Sequence, residues 1–104
     1  MRRLLFATAL SMLTAGSALA QTVILVRHAE KVDASADPVL SETGQRRAVD
    51  LAVVLSDADL THVFTSPLQR TVLTARLAAE AHAIDPEVIS FEGGTEAHVR
   101  RVAD

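Results

Sequence analysis

Cysteine is absent from all 104 residues, which excludes a disulfide framework and lipid attachment through an N-terminal cysteine. Long apolar runs are scarce: Leu4 to Leu13 is too short to span a bilayer, and no second stretch approaches membrane-spanning length. Positive charge is also in short supply, ten Lys and Arg against thirteen Asp and Glu, for a formal net charge of −3. That balance argues against a nucleic-acid partner, whose phosphates demand a basic surface. Internal repeats, low-complexity tracts and domain linkers are missing as well. One small domain is expected.

What is present begins with an address. Met1-Arg2-Arg3 is a short basic start, Leu4 to Leu13 is apolar, and Ala18-Leu19-Ala20 supplies small residues at the positions a signal peptidase reads. Residues 1–20 are therefore expected to be a secretory signal peptide cleaved before Gln21. The mature chain, 21–104, is expected in the periplasm or secreted, with no membrane contact after cleavage. Loss of Arg2 and Arg3 reduces the ten basic residues to eight and takes the formal charge to −5.

The stretch "TVILVRHAEK" opens the mature chain. Val23 to Val26 is an uninterrupted apolar run, the pattern of a strand buried on both faces in a parallel sheet. It ends on Arg27 and His28, and ligands of such sheets bind outside the carboxyl ends of the strands. Asp33 to Pro38 reads as a polar loop. "LSETGQRRAVDLAVVLSDADL" then offers Ser41 or Thr43 as a cap, with Ala48, Leu51, Ala52 and Leu55 at helical spacing. "THVFTS" is a second strand. "SPLQRTVLTARLAAEAH" is a second helix, with Ser66 as cap, Pro67 at its first position, and an end before Asp85-Pro86. "EVISFE" is a third strand, Gly93-Gly94 a turn, and Thr95 the cap of a last helix. Alternating strands and helices specify a parallel α/β sheet, which would place His28, Ser66 and Glu92 along one edge.

The second helix start is also an anion site in prospect. A helix N-terminus presents unpaired N–H groups, and Arg70, one turn in, adds a guanidinium fork suited to phosphate oxygens.

In this order and spacing, Arg27-His28-Ala29-Glu30 after a buried strand, "LSETGQRRA" and "TSPLQRTVLTA" resemble the N-terminal half of the histidine phosphatase superfamily. The resemblance covers Val23 to about Ala75 and lies toward the small secreted or phosphohistidine-phosphatase-type members. It implies a three-layer α/β sandwich with a mainly parallel, phosphoglycerate mutase-like sheet, truncated here after the third strand and helix. It also implies phosphomonoester hydrolysis through a phosphohistidine on His28, with Arg27 and Arg70 holding the phosphoryl oxygens and Ser66 beside them. A small phosphorylated substrate or phosphoprotein is the implied partner. No cofactor or metal is implied, and no residues have metal-ligand spacing.

For the proton donor to the leaving group, Glu92 is the first candidate and Glu96 the second, although an acid in a helix's first turn is favoured by the dipole alone. Glu30 is a third acid near His28. The family's second histidine follows a late strand and a glycine, and no Gly-His occurs here. His62, His82 and His98 read as structural or surface residues. The 104 residues are therefore expected to be an incomplete, inactive portion of a phosphatase, the alternative being a non-catalytic remnant that binds phosphate-like anions. Oligomeric state is left open.

Overall fold

The computed structural model describes residues 21–104; the expected signal peptide lies outside them. The described part is α/β, with three helices and a small parallel sheet. In chain order the elements are α1 (Glu42–Val54), β1 (Phe64–Thr65), α2 (Gln69–Ala81), β2 (Glu87–Val88) and α3 (Thr95–Ala103).

The sheet is a parallel ladder pairing Phe64 with Glu87 and Thr65 with Val88. It is closed by Glu87 N–H donating to Val63 O at 2.8 Å and Ile89 N–H to Thr65 O at 2.7 Å. The third strand is thus shorter than "EVISFE", because pairing stops where β1 gives way to the Ser66-Pro67 turn.

The first expected strand does not form. Residues 22–30 belong to no ladder, and Val23 and Leu25 are 85% and 95% exposed, Ile24 and Val26 45% each. A strand persists only where its backbone groups find partners, and this run is fastened only at its carboxyl end. There Ala29 N–H donates to Thr74 Oγ1 at 2.9 Å, and Glu30 O accepts from Ser41 N–H at 2.9 Å. A single antiparallel bridge, Lys31 with Leu40, closes the following loop.

Helix α1 starts as expected on Ser41, whose side chain accepts from Gly44 N–H at 3.1 Å. It buries Gly44 and Ala48 and contributes to a small core of Ala29, Leu40 and Ala48, against which Leu73 of α2 packs. Gly44 is there for clearance: a Cβ at this position would lie 2.2 Å from Glu30 O.

Helix α2 departs from expectation at its start. Its N-cap is Leu68, which supplies no side-chain cap, so Ser66 is not the cap and Pro67 precedes the helix. Its end is a Schellman turn, with Ile84 N–H donating to Ala79 O at 2.9 Å and Ala83 N–H to Glu80 O at 3.1 Å. Ala83 takes the left-handed position at φ 54°. His82 Nε2–H donates to Leu55 O at 2.8 Å, joining the carboxyl ends of α1 and α2.

Helix α3 buries no residue, and its N-cap is Gly94 rather than Thr95. Side chains fasten it to the segment before it: His98 Nδ1–H donates to Ser90 O at 3.0 Å, its ring lies 4.3 Å from that of Phe91, and Arg101 donates to Ser90 O and Glu92 O.

Candidate active site

His28 is half-buried at the end of the extended run. Its Nδ1 lies 2.8 Å from Ala29 O. A carbonyl oxygen only accepts, so Nδ1 carries the hydrogen and the neutral ring has its lone pair on Nε2. That is the arrangement a nitrogen nucleophile needs.

The neighbouring backbone links this residue to α2. Ala29 N–H donates to Thr74 Oγ1, and the same hydroxyl donates to Arg70 O at 2.6 Å. Thr74 and Ala29 are each only 5% exposed. Two hydrogen bonds through one hydroxyl therefore separate the backbone of His28's neighbour from that of Arg70, which is half-buried in the first turn of α2. Arg27 is exposed beside His28.

The start of α2 is held by a residue from elsewhere. Asp37 Oδ1 accepts from Gln69 N–H at 2.8 Å, and Gln69 Nε2–H donates back to Asp37 O at 3.1 Å. With Leu68 unable to cap, a carboxylate from the 33–38 loop takes that role at the positive end of the helix.

Ser66 is buried, and its hydroxyl already has partners in the turn: it accepts from Leu68 N–H at 3.3 Å and bonds Thr71 Oγ1 at 2.7 Å. It shapes the path into α2. Pro67, exposed between Ser66 and Leu68, carries no N–H and so needs no acceptor there.

The candidate acids are dispersed. Glu30 pairs with Arg47, and the hydrogen bond from that guanidinium, chief among several causes, holds its carboxyl below the ordinary range. Glu96 pairs with Arg100 at 3.0 Å on α3. Glu92 is exposed beyond β2, its N–H bonded to Ser90 Oγ at 2.9 Å. Among the described residues no hydrogen bond or ion pair joins Glu92 or Glu96 to His28 or Arg70. The expected sheet edge carrying His28, Ser66 and Glu92 is not formed, because residues 22–30 join no ladder; what the structure joins instead is the His28 segment and α2, through Thr74.

The other histidines are engaged elsewhere. His62 stacks on Phe64 with ring centroids 6.2 Å apart, His82 bonds Leu55 O, and His98 packs on Phe91. The apolar groove between α1 and α2, lined by Val39, Leu40, Val49, Leu73 and Leu77 among others, includes none of the candidate catalytic residues.

Sequence reasoning missed Asp37 and Thr74. Neither carries a local signal, because their partners lie 32 and 45 residues away.

Phosphoserine phosphatase 1 of Hydrogenobacter thermophilus is 46% identical over 66 residues, which cover 57% of this chain and 31% of that protein. Two solved structures, mycobacterial hydrolase 1 and a mycobacterial glucosyl-3-phosphoglycerate phosphatase, each superpose with a TM-score of 0.54 at 26% identity, covering 59% of this chain and 32% of theirs. The chain spans about a third of the length of these relatives. The family model for the histidine phosphatase superfamily, branch 1, matches residues 23–99, and the chain belongs to that superfamily.

Proposed function

We propose that residues 21–104 supply the nucleophile and phosphate-binding part of a phosphomonoester hydrolase that works through a phosphohistidine. The observation carrying this reading is the Nδ1–H bond of His28 to Ala29 O, which leaves Nε2 as the basic nitrogen, in a segment whose backbone is tied to α2, the helix that bears Arg70. In the reaction, Nε2 attacks phosphorus, the bond from phosphorus to the leaving oxygen breaks, and that oxygen takes a proton. Water then attacks the phosphohistidine and releases inorganic phosphate. Arg27 and Arg70 hold the equatorial oxygens, where charge accumulates in the transition state. Glu92 is the first candidate to protonate the leaving alkoxide and Glu96 the second. The named activities of the relatives support a small phosphorylated substrate. The first twenty residues support action outside the cytoplasm.

A second reading, anion binding without turnover, is favoured by one observation: neither Glu92 nor Glu96 is tied to the His28 segment. The two readings separate on incubation with a generic aryl phosphate. An acid-labile phosphoryl adduct on His28, absent from His28→Ala, is the result expected of the hydrolase reading. In a polypeptide that turns over, Arg70→Ala should lose about 3 kcal/mol of transition-state stabilisation. Saturable phosphate binding with no adduct supports the second reading. An adduct retained in His28→Ala refutes the assignment of His28 as nucleophile.

A further inference from the structure

We propose that Thr74 is a positioning residue that sets the placement of His28 relative to Arg70. The proposal rests on the phosphatase reading of the site and adds a residue to it.

A threonine inside a helix commonly returns its hydroxyl hydrogen to the carbonyl four residues back, and Thr74 does so with Arg70 O at 2.6 Å. The oxygen's remaining acceptor capacity is what differs here. It is filled by Ala29 N–H at 2.9 Å, from a segment 45 residues away. Both partners in this bond are buried, Ala29 and Thr74 at 5% exposure, so its loss would leave an N–H without water to replace its acceptor.

The extended run gives this bond unusual weight. Residues 22–30 pair with no strand, so no ladder fixes how far His28 advances toward α2. Its backbone is held on the α1 side by Glu30 O, which accepts from Ser41, and on the α2 side by Ala29 N–H. The first bond positions the segment against α1. Of these two bonds, the second refers it to the helix that carries Arg70.

The test is phosphate binding by the chain, with inorganic phosphate as probe and the His28 ring and Arg70 amide followed by NMR. Thr74→Val keeps the shape and removes both hydrogen bonds. It should weaken phosphate binding about tenfold at unchanged helix content. Thr74→Ser restores the hydroxyl and should bind within about twofold of wild type, a rescue that packing alone would not give. Equal binding by folded Thr74→Val, or a Thr74→Ser variant as weak as Thr74→Val, overturns the proposal. If Thr74→Val fails to fold, hydrogen exchange in the unaltered chain decides. An Ala29 amide that is protected, and more so with phosphate, supports the proposal; one exchanging at the free-peptide rate overturns it. Absence of phosphate binding in the unaltered chain instead overturns the reading of the site, with Ala29 protection still reporting on the anchor.

Discussion

Replacing Gly44 with alanine is the sharpest test of how α1 is seated, because helix propensity and packing predict opposite signs. On propensity alone, alanine stabilises an interior helical position by about 1 kcal/mol over glycine. The structure argues otherwise. The new Cβ would lie 2.2 Å from Glu30 O and 3.1 Å from Glu30 C and N, whereas ordinary van der Waals contact begins at 3.4 Å. The obstructing atoms are backbone, so no rotamer change relieves them. Helix and loop must part by about 1 Å, and the bond from Ser41 N–H to Glu30 O, now 2.9 Å, must lengthen. Overpacking of this kind costs about 1–3 kcal/mol and a weakened hydrogen bond about 1 kcal/mol. After the propensity gain, about 2 kcal/mol of net destabilisation is left. Protection of the Ser41 amide against hydrogen exchange should therefore fall by about 30-fold, with circular dichroism reporting whether α1 itself persists. An alanine variant as well protected as the parent would show that Gly44 is tolerated rather than required, and would refute the clearance argument.

Ala83→Gly should stabilise the chain. Ala83 holds a left-handed conformation at φ 54°, which is unfavourable by about 1–2 kcal/mol for a residue with a Cβ, while glycine's greater freedom in the unfolded chain takes back part of that. A net gain of about 0.5–1 kcal/mol is expected as a higher melting temperature, and a lower one would contradict the Schellman assignment. The Glu30–Arg47 pair should make the seating of α1 acid-sensitive. Arg47 depresses the Glu30 carboxyl in the folded chain, so the stabilisation is complete above the unfolded carboxylate range and is lost as pH falls through the lower folded value. Arg47→Ala should remove that part of the acid dependence of Ser41 amide protection; identical profiles for the two proteins would count against it.

What could be read from residues alone divides by the range of the interaction. Ser41 announces α1 because its capping partner, Gly44, is three positions away. The alternation of strands and helices is legible for the same reason, as a pattern within ten or so residues. Val23 to Val26 has the composition of a buried strand, but composition does not supply a paired edge, and here the run lies exposed. Ser66 and Pro67 look like a helix start, yet α2 is capped by Asp37, whose polar loop context gives no hint of a partner at position 69. Arg27, His28 and Arg70 became legible through three segments in one order and spacing, the pattern that resembles the family, rather than through any one of them alone. Thr74 did not, since a threonine in an amphipathic helix is ordinary until Ala29 is found against it.

The contact between Asp37 and Gln69 also bears on the order in which the His28 segment and α2 come together. By itself, joining Ala29 to Thr74 closes a loop of 45 residues. Once Asp37 and Gln69 are joined, the path from Ala29 to Thr74 shortens to the eight residues up to Asp37, the short bridge, and the five beyond Gln69, about thirteen in all. Loop-closure entropy grows with the logarithm of length, so the second contact becomes easier by about 1 kcal/mol. The two clasps would then close as a zipper, the capping loop first and the His28 segment after it. The seating of the His28 segment on α2 then follows the capping loop in time, and loosens when that loop lets go.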